Sequence, residues 1–330
     1  MLVMYTVAPV LVSQTLLILR SLNFITTRLG PNSFSQHTFV YLTAIDILTA
    51  YPLHSDSFLR SIAPSASTEH TIPTHPLDRN LDLYFLNTAE HFTLILSPST
   101  NEALLVAATA PYLAAGGSNA LMPLFEAAHS VMLSVLSAPQ SASVTAKHIP
   151  FYIDALFKVF PHNLTPRQFR LAFKTLIRVT SPPSPLAATE PDLPATLLEI
   201  VHERALLAST DPLPQEPSSA AAVLGKAEER LSEQAVLVLT LLDTLPFLPI
   251  HLLEEWLPLA AGLVHRIEDA AMKEVAKKRF WEMVIGGEMD AERSQTVVAW
   301  WSTRGGREMV LFEEEAMMSG ALPVVEKARL

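Results

Sequence analysis

The stretch LLDTLPFLPIHLLEEWLPLAAGLVHRI, residues 241–267, decides the fold. Pro246 and Pro249 separate two apolar segments, and because proline disrupts the interior of a helix, they mark a turn between two helices. Glu254 and Glu255 are expected to face solvent. Apolar residues at helical spacing are expected to face inward in the second helix, namely Leu252, Leu253, Trp256 and Leu257. The stretch therefore predicts a helical hairpin.

The same interpretation extends over all 330 residues. The chain is 49% hydrophobic with only 10 Gly, and no sustained alternation of β-branched residues indicates strands. Its 25 Pro punctuate short helices. We expect an all-α fold in which helical hairpins stack as an irregular HEAT/armadillo-like solenoid. A globular helical bundle is the alternative, and pattern alone does not separate the two.

Proline, glycine and capping residues place the ends of the predicted helices. Capping chemistry marks starts at Ser55, around Thr100, and at Thr165 before Pro166. A polar loop is predicted over 64–80. The predicted helices are roughly 1–24, 33–50, 81–96, 100–115, 119–137, 143–160, 165–180, 193–208, 224–245, 249–267, 269–286 and 290–312.

Charge and proline content divide the chain into four predicted segments. Through Glu190 there are 10 acidic and 10 basic residues, so the whole net charge of -10 lies beyond it. Residues 1–180 form a sparsely charged helical-repeat region, and 181–223 form a Pro-rich linker with one short helix. An acidic helical region spans 224–312, and 313–330 form a tail.

The chain opens with a long apolar segment, MLVMYTVAPVLVSQTLLIL, residues 1–19, which has no charge before Arg20. Its length makes a membrane span or a signal sequence an alternative. Thr6, Ser13 and Arg20 fall seven apart and therefore along one side of a helix, which favours a buried or edge helix. A chain that starts inside such a helix is expected to be truncated at its N-terminus.

Composition argues against several classes of function. The absence of cysteine excludes thiolate metal sites and thiol nucleophiles, and the net charge argues against nucleic-acid binding. His202-Glu203 lacks the second histidine of an HExxH motif, because position 206 is Leu206. No GxSxG, GxGxxG or Walker loop occurs. We therefore expect no catalytic residues, no metal and no cofactor.

Aromatic residues and arginines are concentrated in RFWEMVIGGEMDAERSQTVVAWWSTRGGREMVLF, residues 279–312. Helical spacing favours a core position for most of the apolar ones, on two helices joined by the turn GGEMD. They are Phe280, Val284, Val297, Trp300 and Trp301. Trp300, Trp301, Arg304 and Arg307 are nevertheless candidate contacts for a partner or an anion, since aromatic and guanidinium groups anchor interfaces.

The last three residues are Ala328, Arg329 and Leu330, which match the small-basic-leucine class of peroxisomal address. A receptor can hold the terminal carboxylate, fill an apolar pocket with the leucine and meet the basic side chain with acidic walls. The tripeptide predicts binding to a peroxisomal import receptor. There are two alternatives. The chain is a cytosolic adaptor that ends in this tripeptide by chance, or it is a peroxisomal matrix enzyme that carries the same targeting signal.

Residues 235–330 resemble the fungal peroxin-8 family of intraperoxisomal import factors. The resemblance rests on residues 241–267, on KKRFWEMVIGGEMDAERSQTVVAWWSTRGGREMVLF (277–312), on MSGAL (318–322) and on the final ARL. It implies a peripheral protein on the lumenal face of the peroxisomal membrane. The implied role is to join the receptor-docking complex to the ring-finger ubiquitin-ligase complex during matrix protein import, with cargo release as a further role. The implied partner of Ala328, Arg329 and Leu330 is the tetratricopeptide-repeat import receptor.

Overall fold

The computed structural model of the chain describes residues 2–26, 35–64, 72–118, 120–214 and 230–312. Within those ranges the backbone is helical and contains no β-strand, apart from an isolated bridge between Pro212 and Ser232. The prediction of an all-α fold is confirmed. Contacts group the helices into two compact units, Met1–Thr165 and Pro166–Leu330.

The first unit combines contacts between helices that are neighbours in the chain with contacts between helices that are further apart. Its centre is α7, which packs against α4, α6 and α8 through fully buried rings that include Phe85, Phe125 and Tyr152. Its helices are α1 (Leu2–Thr26), α2 (Ser35–Thr49), α3 (Pro52–Ile62), α4 (Pro76–Ala89), α5 (Pro98–Thr100), α6 (Ala107–Ala115), α7 (Met122–Leu136) and α8 (Ala142–Val159), and Asn101–Val106 form a π-helical segment between α5 and α6.

Helix α1 is an edge helix that packs against α2 and α4. Leu16 and Leu19 are buried, and Ser13 and Arg20 of the predicted polar stripe are only partly exposed. Among the described residues, Val7–Thr26 is the helix long and apolar enough to cross a membrane by length and composition, with a mean hydropathy of 1.4. Only 22% of that segment is buried, which is unlike the core helix of a globular domain.

The second unit surrounds one helix. Its helices are α9 (Pro166–Thr180), α10 (Pro185–Thr189), α11 (Leu193–Leu207), α12 (Glu233–Thr244), α13 (Ile250–His265), α14 (Ala270–Ile285), α15 (Ala291–Thr303) and α16 (Gly306–Phe312). Every residue of α12 from Gln234 to Thr244 is buried, because α9, α11, α13 and α14 pack around it. A helix that is apolar on all sides forms a core rather than a surface.

A chain of ion pairs fixes the helices around α12. Asp243 of α12 accepts hydrogen bonds from the Nε atoms of Arg170 on α9, at 2.7 Å, and Arg279 on α14, at 2.6 Å. Glu288 after α14 then bonds Arg279 Nη2 and Lys174 Nζ, each at 3.2 Å. Burial alone would lower the pKa of Arg279, but Asp243 and Glu288 raise it. The carboxylate buried in α12 is therefore neutralised by two guanidinium groups.

The predicted hairpin of residues 241–267 is confirmed. Pro246 lies in a 3-10 turn and Pro249 caps α13, whose inward-facing side chains are buried while Glu254 and Glu255 are exposed. The buried side chains are Leu252, Leu253, Trp256 and Leu257.

One predicted helix start and one predicted loop are wrong. Ser55 lies inside α3 rather than at its start, because Pro52 begins the helix and the Ser55 hydroxyl donates to the carbonyl oxygens of Leu48 and Tyr51. The capping predicted around Thr100 is made by Ser97, whose hydroxyl accepts a hydrogen bond from the backbone N–H of Thr100. Helix α4 begins at Pro76, inside the predicted loop of residues 64–80.

The contact grouping places α9 in the second unit, so the division along the chain falls between Thr165 and Pro166. Within residues 181–223 the structure contains α10 and α11, and α11 buries Leu197, Leu198 and Val201 while packing against α12. The division into segments 1–180, 181–223, 224–312 and 313–330 stays a prediction.

His129 of α7 is a buried titratable group in the first unit. Its Nδ1 lies 2.9 Å from the hydroxyl of Tyr152, and the ring meets Phe125 edge-on. Burial lowers the pKa of His129 to about 4, below the ordinary value of 6.5. Between these two values the unfolded chain binds a proton that the folded chain does not, so folding loses stability as the pH falls from 6.5 towards 4.

We predict that acidification from pH 7 to pH 4 destabilises the protein by about 3 kcal/mol through His129. His129→Gln keeps a hydrogen-bonding group for Tyr152 without titrating, so its free energy of unfolding should depend less steeply on pH. Urea unfolding across this pH range measures the difference. His54→Gln, at an exposed histidine, is the control, and equal slopes for His129→Gln and the wild type would contradict the prediction.

Candidate functional site

The region singled out in the sequence, residues 279–312, forms three consecutive helices. Asp269 caps α14, since its carboxylate accepts a hydrogen bond from the backbone N–H of Met272, and Asp290 caps α15 in the same way through Arg293. The predicted turn GGEMD joins the two helices, and Gly287 adopts a positive φ of 66°. The two caps and the turn hold the aromatic side chains of α14 and α15 together.

Phe280 is the centre of this aromatic cluster. Its ring is fully buried, stacks on Trp300 at a centroid distance of 5.7 Å and meets Trp301 at 6.2 Å. Trp300 is only 6% exposed. Gly306 at the start of α16 lies against the Trp300 ring. Trp300 is thus a core residue, and the predicted inward positions of Phe280, Val284 and Val297 are confirmed.

Trp281 and Trp301 lie at the surface beside this core. Their rings are 5.4 Å apart, and Trp281 is 45% exposed. Ile285 is one turn from Trp281 on α14, Val298 is one turn from Trp301 on α15, and both are exposed. We call these four residues, Trp281, Ile285, Val298 and Trp301, the aromatic surface.

The sequence predicted Trp301 both as a core residue and as a candidate contact, and the structure leaves it only partly buried; Trp281 was missed. Phe280 and Trp281 are adjacent, and apolar spacing alone does not say which of two neighbouring large rings faces the core. The signal was the stripe formed by Glu274, Lys278, Trp281 and Ile285, in which two charged residues indicate a solvent-facing side.

The two arginines predicted as anion ligands occupy different positions. Arg304 follows α15 and its Nη1 lies 2.9 Å from Glu254 Oε1 on α13, with both side chains exposed. Gly305, with a φ of 76°, turns the chain into α16, where Arg307 is exposed in the first turn. Arg304 therefore already has a carboxylate partner within the chain. The predicted targeting residues Ala328, Arg329 and Leu330 lie outside the described residues.

A shallow groove with a volume of about 400 Å³ lies on the first unit and is lined by the π-helical segment, α6 and α8. Glu102 at its edge accepts hydrogen bonds from Lys147 Nζ at 2.5 Å and His148 Nε2 at 3.1 Å. Lys147 and then His148 lower the pKa of Glu102, which keeps the carboxylate ionised at neutral pH. A carboxylate held this way is an ion-pair partner and a poor proton donor.

Other polar clusters in the described ranges do not converge on a site. His202 lies edge-on to Trp256 at 5.8 Å, and burial is the first cause that lowers its pKa. Within the described residues no three His, Asp or Glu side chains are grouped so that they could hold a metal ion.

Two models of one protein family match the chain. The PEX8 central TPR-like domain matches residues 55–137, and the PEX8 C-terminal domain matches residues 143–309. The TPR-like description agrees with the helical-hairpin solenoid predicted from the sequence, which is confirmed. No solved structure matches the chain significantly.

Curated relatives match over most of the chain at modest identity. Peroxisomal membrane protein PEX17 of Yarrowia lipolytica is 26% identical over 315 residues, which cover 88% of this chain and 46% of the relative. Peroxisomal biogenesis factor 8 of Komagataella phaffii is 23% identical, covering 87% and 46%, and that of Pichia angusta is 22% identical, covering 90% and 45%. The chain spans about half the length of these relatives.

The contact between Gly306 and Trp300 supplies a stability test for the aromatic cluster. A Cβ added at Gly306 would lie 2.4 Å from Cε3 of Trp300, so Gly306→Ala must displace the ring or α16. We expect a loss of about 2 kcal/mol in the free energy of unfolding, as is usual for overpacking. Urea unfolding followed by tryptophan fluorescence measures it.

Gly262→Ala is the matched control for this substitution. A Cβ at Gly262, on α13, meets nothing within 4 Å, and α13 is a regular helix. Replacing a helical glycine with alanine should stabilise the protein by up to about 1 kcal/mol. If Gly306→Ala were as stable as Gly262→Ala, the described packing of Trp300 would be wrong.

Proposed function

The chain belongs to the PEX8 family, and from that premise we propose that it is a non-catalytic scaffold in the import of proteins into the peroxisome. The observation that carries the proposal is the match of the two PEX8 domain models to residues 55–137 and 143–309. The relatives are named as peroxisomal biogenesis factors or a peroxisomal membrane protein, and not as enzymes. The location proposed for this chain is therefore the peroxisome.

A scaffold must present rigid surfaces to other proteins, and the second unit has the features this requires. Its buried helix α12 and the ion pairs of Asp243 fix α9 and α14. The aromatic surface then stands on a framework that does not need to rearrange before binding, which lowers the entropic cost of association. Tryptophan is enriched among the side chains that carry most of the binding energy in protein interfaces.

The partners we propose are the peroxins of the receptor-docking complex and of the ring-finger ubiquitin-ligase complex. The chain would join the two complexes on the lumenal side of the membrane, and release of cargo from the import receptor is a further proposed role. Trp301 and Trp281 are the proposed contacts, with Arg304 and Arg307 at their border. Trp300 supports them from the core, since it is buried against Phe280. The protein would attach to the membrane peripherally.

Entry into the organelle is proposed to depend on Ala328, Arg329 and Leu330. Such a tripeptide is read by a receptor that holds the free carboxylate and the leucine side chain together. The tetratricopeptide-repeat import receptor is the partner proposed for this step.

Deleting Leu330 should abolish binding of the full chain to the import receptor, because the carboxylate then sits on Arg329 and the apolar pocket stays empty. A pull-down with purified receptor measures this, and Glu326→Ala, which leaves the tripeptide intact, should bind like the wild type. Equal recovery of the intact and the Leu330-deleted chain would remove the targeting proposal.

Substituting the exposed half of the aromatic surface should reduce co-purification of peroxins with the tagged full chain. We expect Trp281→Ser with Ile285→Ser to lower recovery of docking-complex and ring-finger-complex proteins by roughly tenfold or more, since buried tryptophans dominate interface energy. Quantitative mass spectrometry of complexes from organelle extracts measures recovery.

Leu171→Ser with Leu207→Ser is the matched control, because it removes two exposed leucines elsewhere on the second unit. These variants should recover partners like the wild type. A Trp281 and Ile285 double variant that folds normally and retains full recovery of both complexes would show that the aromatic surface is not the contact.

A further inference from the structure

Helix α1 turns an apolar side away from the protein. Leu16 and Leu19 are buried, whereas Leu11 and Ile18 are each 61% exposed. On α1 the exposed apolar side chains lie three, four or seven residues apart and so follow one side of the helix, which also carries the exposed Gln14. Together with an exposed phenylalanine on α2, they define what we call the outer face: Val7, Leu11, Ile18, Leu22, Ile25 and Phe39.

The opposite sides of α1 and α2 are bound to α4. The Tyr84 hydroxyl on α4 donates to the carbonyl oxygen of Leu16 at 2.8 Å, and Asn23 Nδ2 donates to Asn80 Oδ1 at 3.1 Å. From α2, the hydroxyl of Tyr41 lies 3.0 Å from that of Thr88 on α4. Both helices therefore lie as a layer on α4, and the outer face is the far side of that layer.

The outer layer carries almost no charge. Among the described residues of α1 and α2 the formally charged side chains are Arg20 and Asp46, of which Asp46 is exposed on α2, seven residues from Phe39. Arg20 points inward, since its Nε is buried. Burial raises the pKa of Asp82 on α4, and the positive charge of Arg20 acts in the opposite direction. Contiguous exposed apolar patches mark interaction sites on soluble proteins.

We propose that the outer face docks on the surface of a lipid bilayer, with α1 lying in the membrane plane. The face consists of aliphatic side chains and one phenylalanine, without the tryptophan and arginine anchors that are typical of protein interfaces. Val7–Thr26 also has a composition apolar enough for hydrocarbon. The proposal rests on the peripheral membrane association in the proposed function and names the surface responsible.

We expect α1 to lie on the bilayer rather than cross it, because its inner side already packs against α4 and forms hydrogen bonds with it. Crossing would break the Tyr84–Leu16 and Asn23–Asn80 hydrogen bonds and would expose Leu16, which is fully buried. It would also carry Arg20 towards hydrocarbon, which is costly for a guanidinium group. Docking through the outer face leaves every one of these contacts intact.

Flotation of the purified full chain with vesicles of phosphatidylcholine and phosphatidylethanolamine tests the proposal. The wild type should float with the vesicles, and binding should persist in about 1 M salt, where charge attraction is screened within about 3 Å. Leu11→Glu with Ile18→Glu should lower the bound fraction roughly tenfold or more, since it removes two apolar side chains from the contact.

Leu171→Glu with Leu207→Glu is the matched control, because it places two glutamates on exposed leucines of α9 and α11. This variant should float like the wild type. Failure of the wild type to float, or equal flotation of the Leu11 and Ile18 variant, would overturn the proposal. A third outcome also overturns the proposal: the wild type does not float, and Leu11→Glu with Ile18→Glu dissociates a dimer or a bound protein partner. The outer face would then bind protein rather than lipid.

A second measurement does not depend on the folding of the glutamate variants. Phe39→Trp on an otherwise unchanged chain should give tryptophan fluorescence that brominated lipids quench, since Phe39 belongs to the outer face. Leu171→Trp should show no additional quenching. Absence of quenching at residue 39 would overturn the proposal, and retention of receptor binding by the same protein would show that the import role stands separately.

Discussion

Asp243 is the constraint on which the second unit depends. It sits near the end of a helix whose residues from Gln234 to Thr244 are all buried, so its charge cannot be solvated by water. The carboxylate remains in place because Arg170 and Arg279 approach it from two other helices at hydrogen-bonding distance. An ion pair of this kind requires well-defined geometry, since an unpaired buried charge costs several kcal/mol. Helices α9, α12 and α14 are thereby held in one arrangement.

The sequence predicted helices best where apolar spacing and proline agreed. The hairpin of residues 241–267 follows from Pro246, Pro249 and an apolar stripe, and the structure confirms it residue by residue. Helix starts read from capping residues failed at Ser55, because a serine hydroxyl can also bond backbone carbonyl oxygens inside a helix. Within the predicted helix of residues 290–312 the glycine pair Gly305-Gly306 indicated a helix break, and the structure has one at Gly305, where φ is 76°.

The surfaces were harder to predict than the core. Between Phe280 and Trp281, the choice of which ring is buried is made by the packing of α15 and α16, which brings Trp300 onto Phe280. At α1 the polar stripe favoured a buried or edge helix without saying which side faces inward, and the structure leaves Ser13 and Arg20 partly buried and the aliphatic side exposed. Periodicity locates the two sides of a helix, but contacts distant in sequence determine which side faces inward.

The two units expose apolar side chains to solvent for different structural reasons. In the second unit, two tryptophans stand on a core fixed by ion pairs and by a glycine that admits the Trp300 ring, and the exposed area is small and rigid. In the first unit, polar hydrogen bonds to α4 hold α1 from within, so the aliphatic side faces outward over the length of a long helix. A small rigid aromatic area suits recognition of a specific protein, because shape and ring orientation discriminate between partners. A long uncharged aliphatic side does not discriminate between protein partners in this way, and binding to a bilayer requires only buried apolar area.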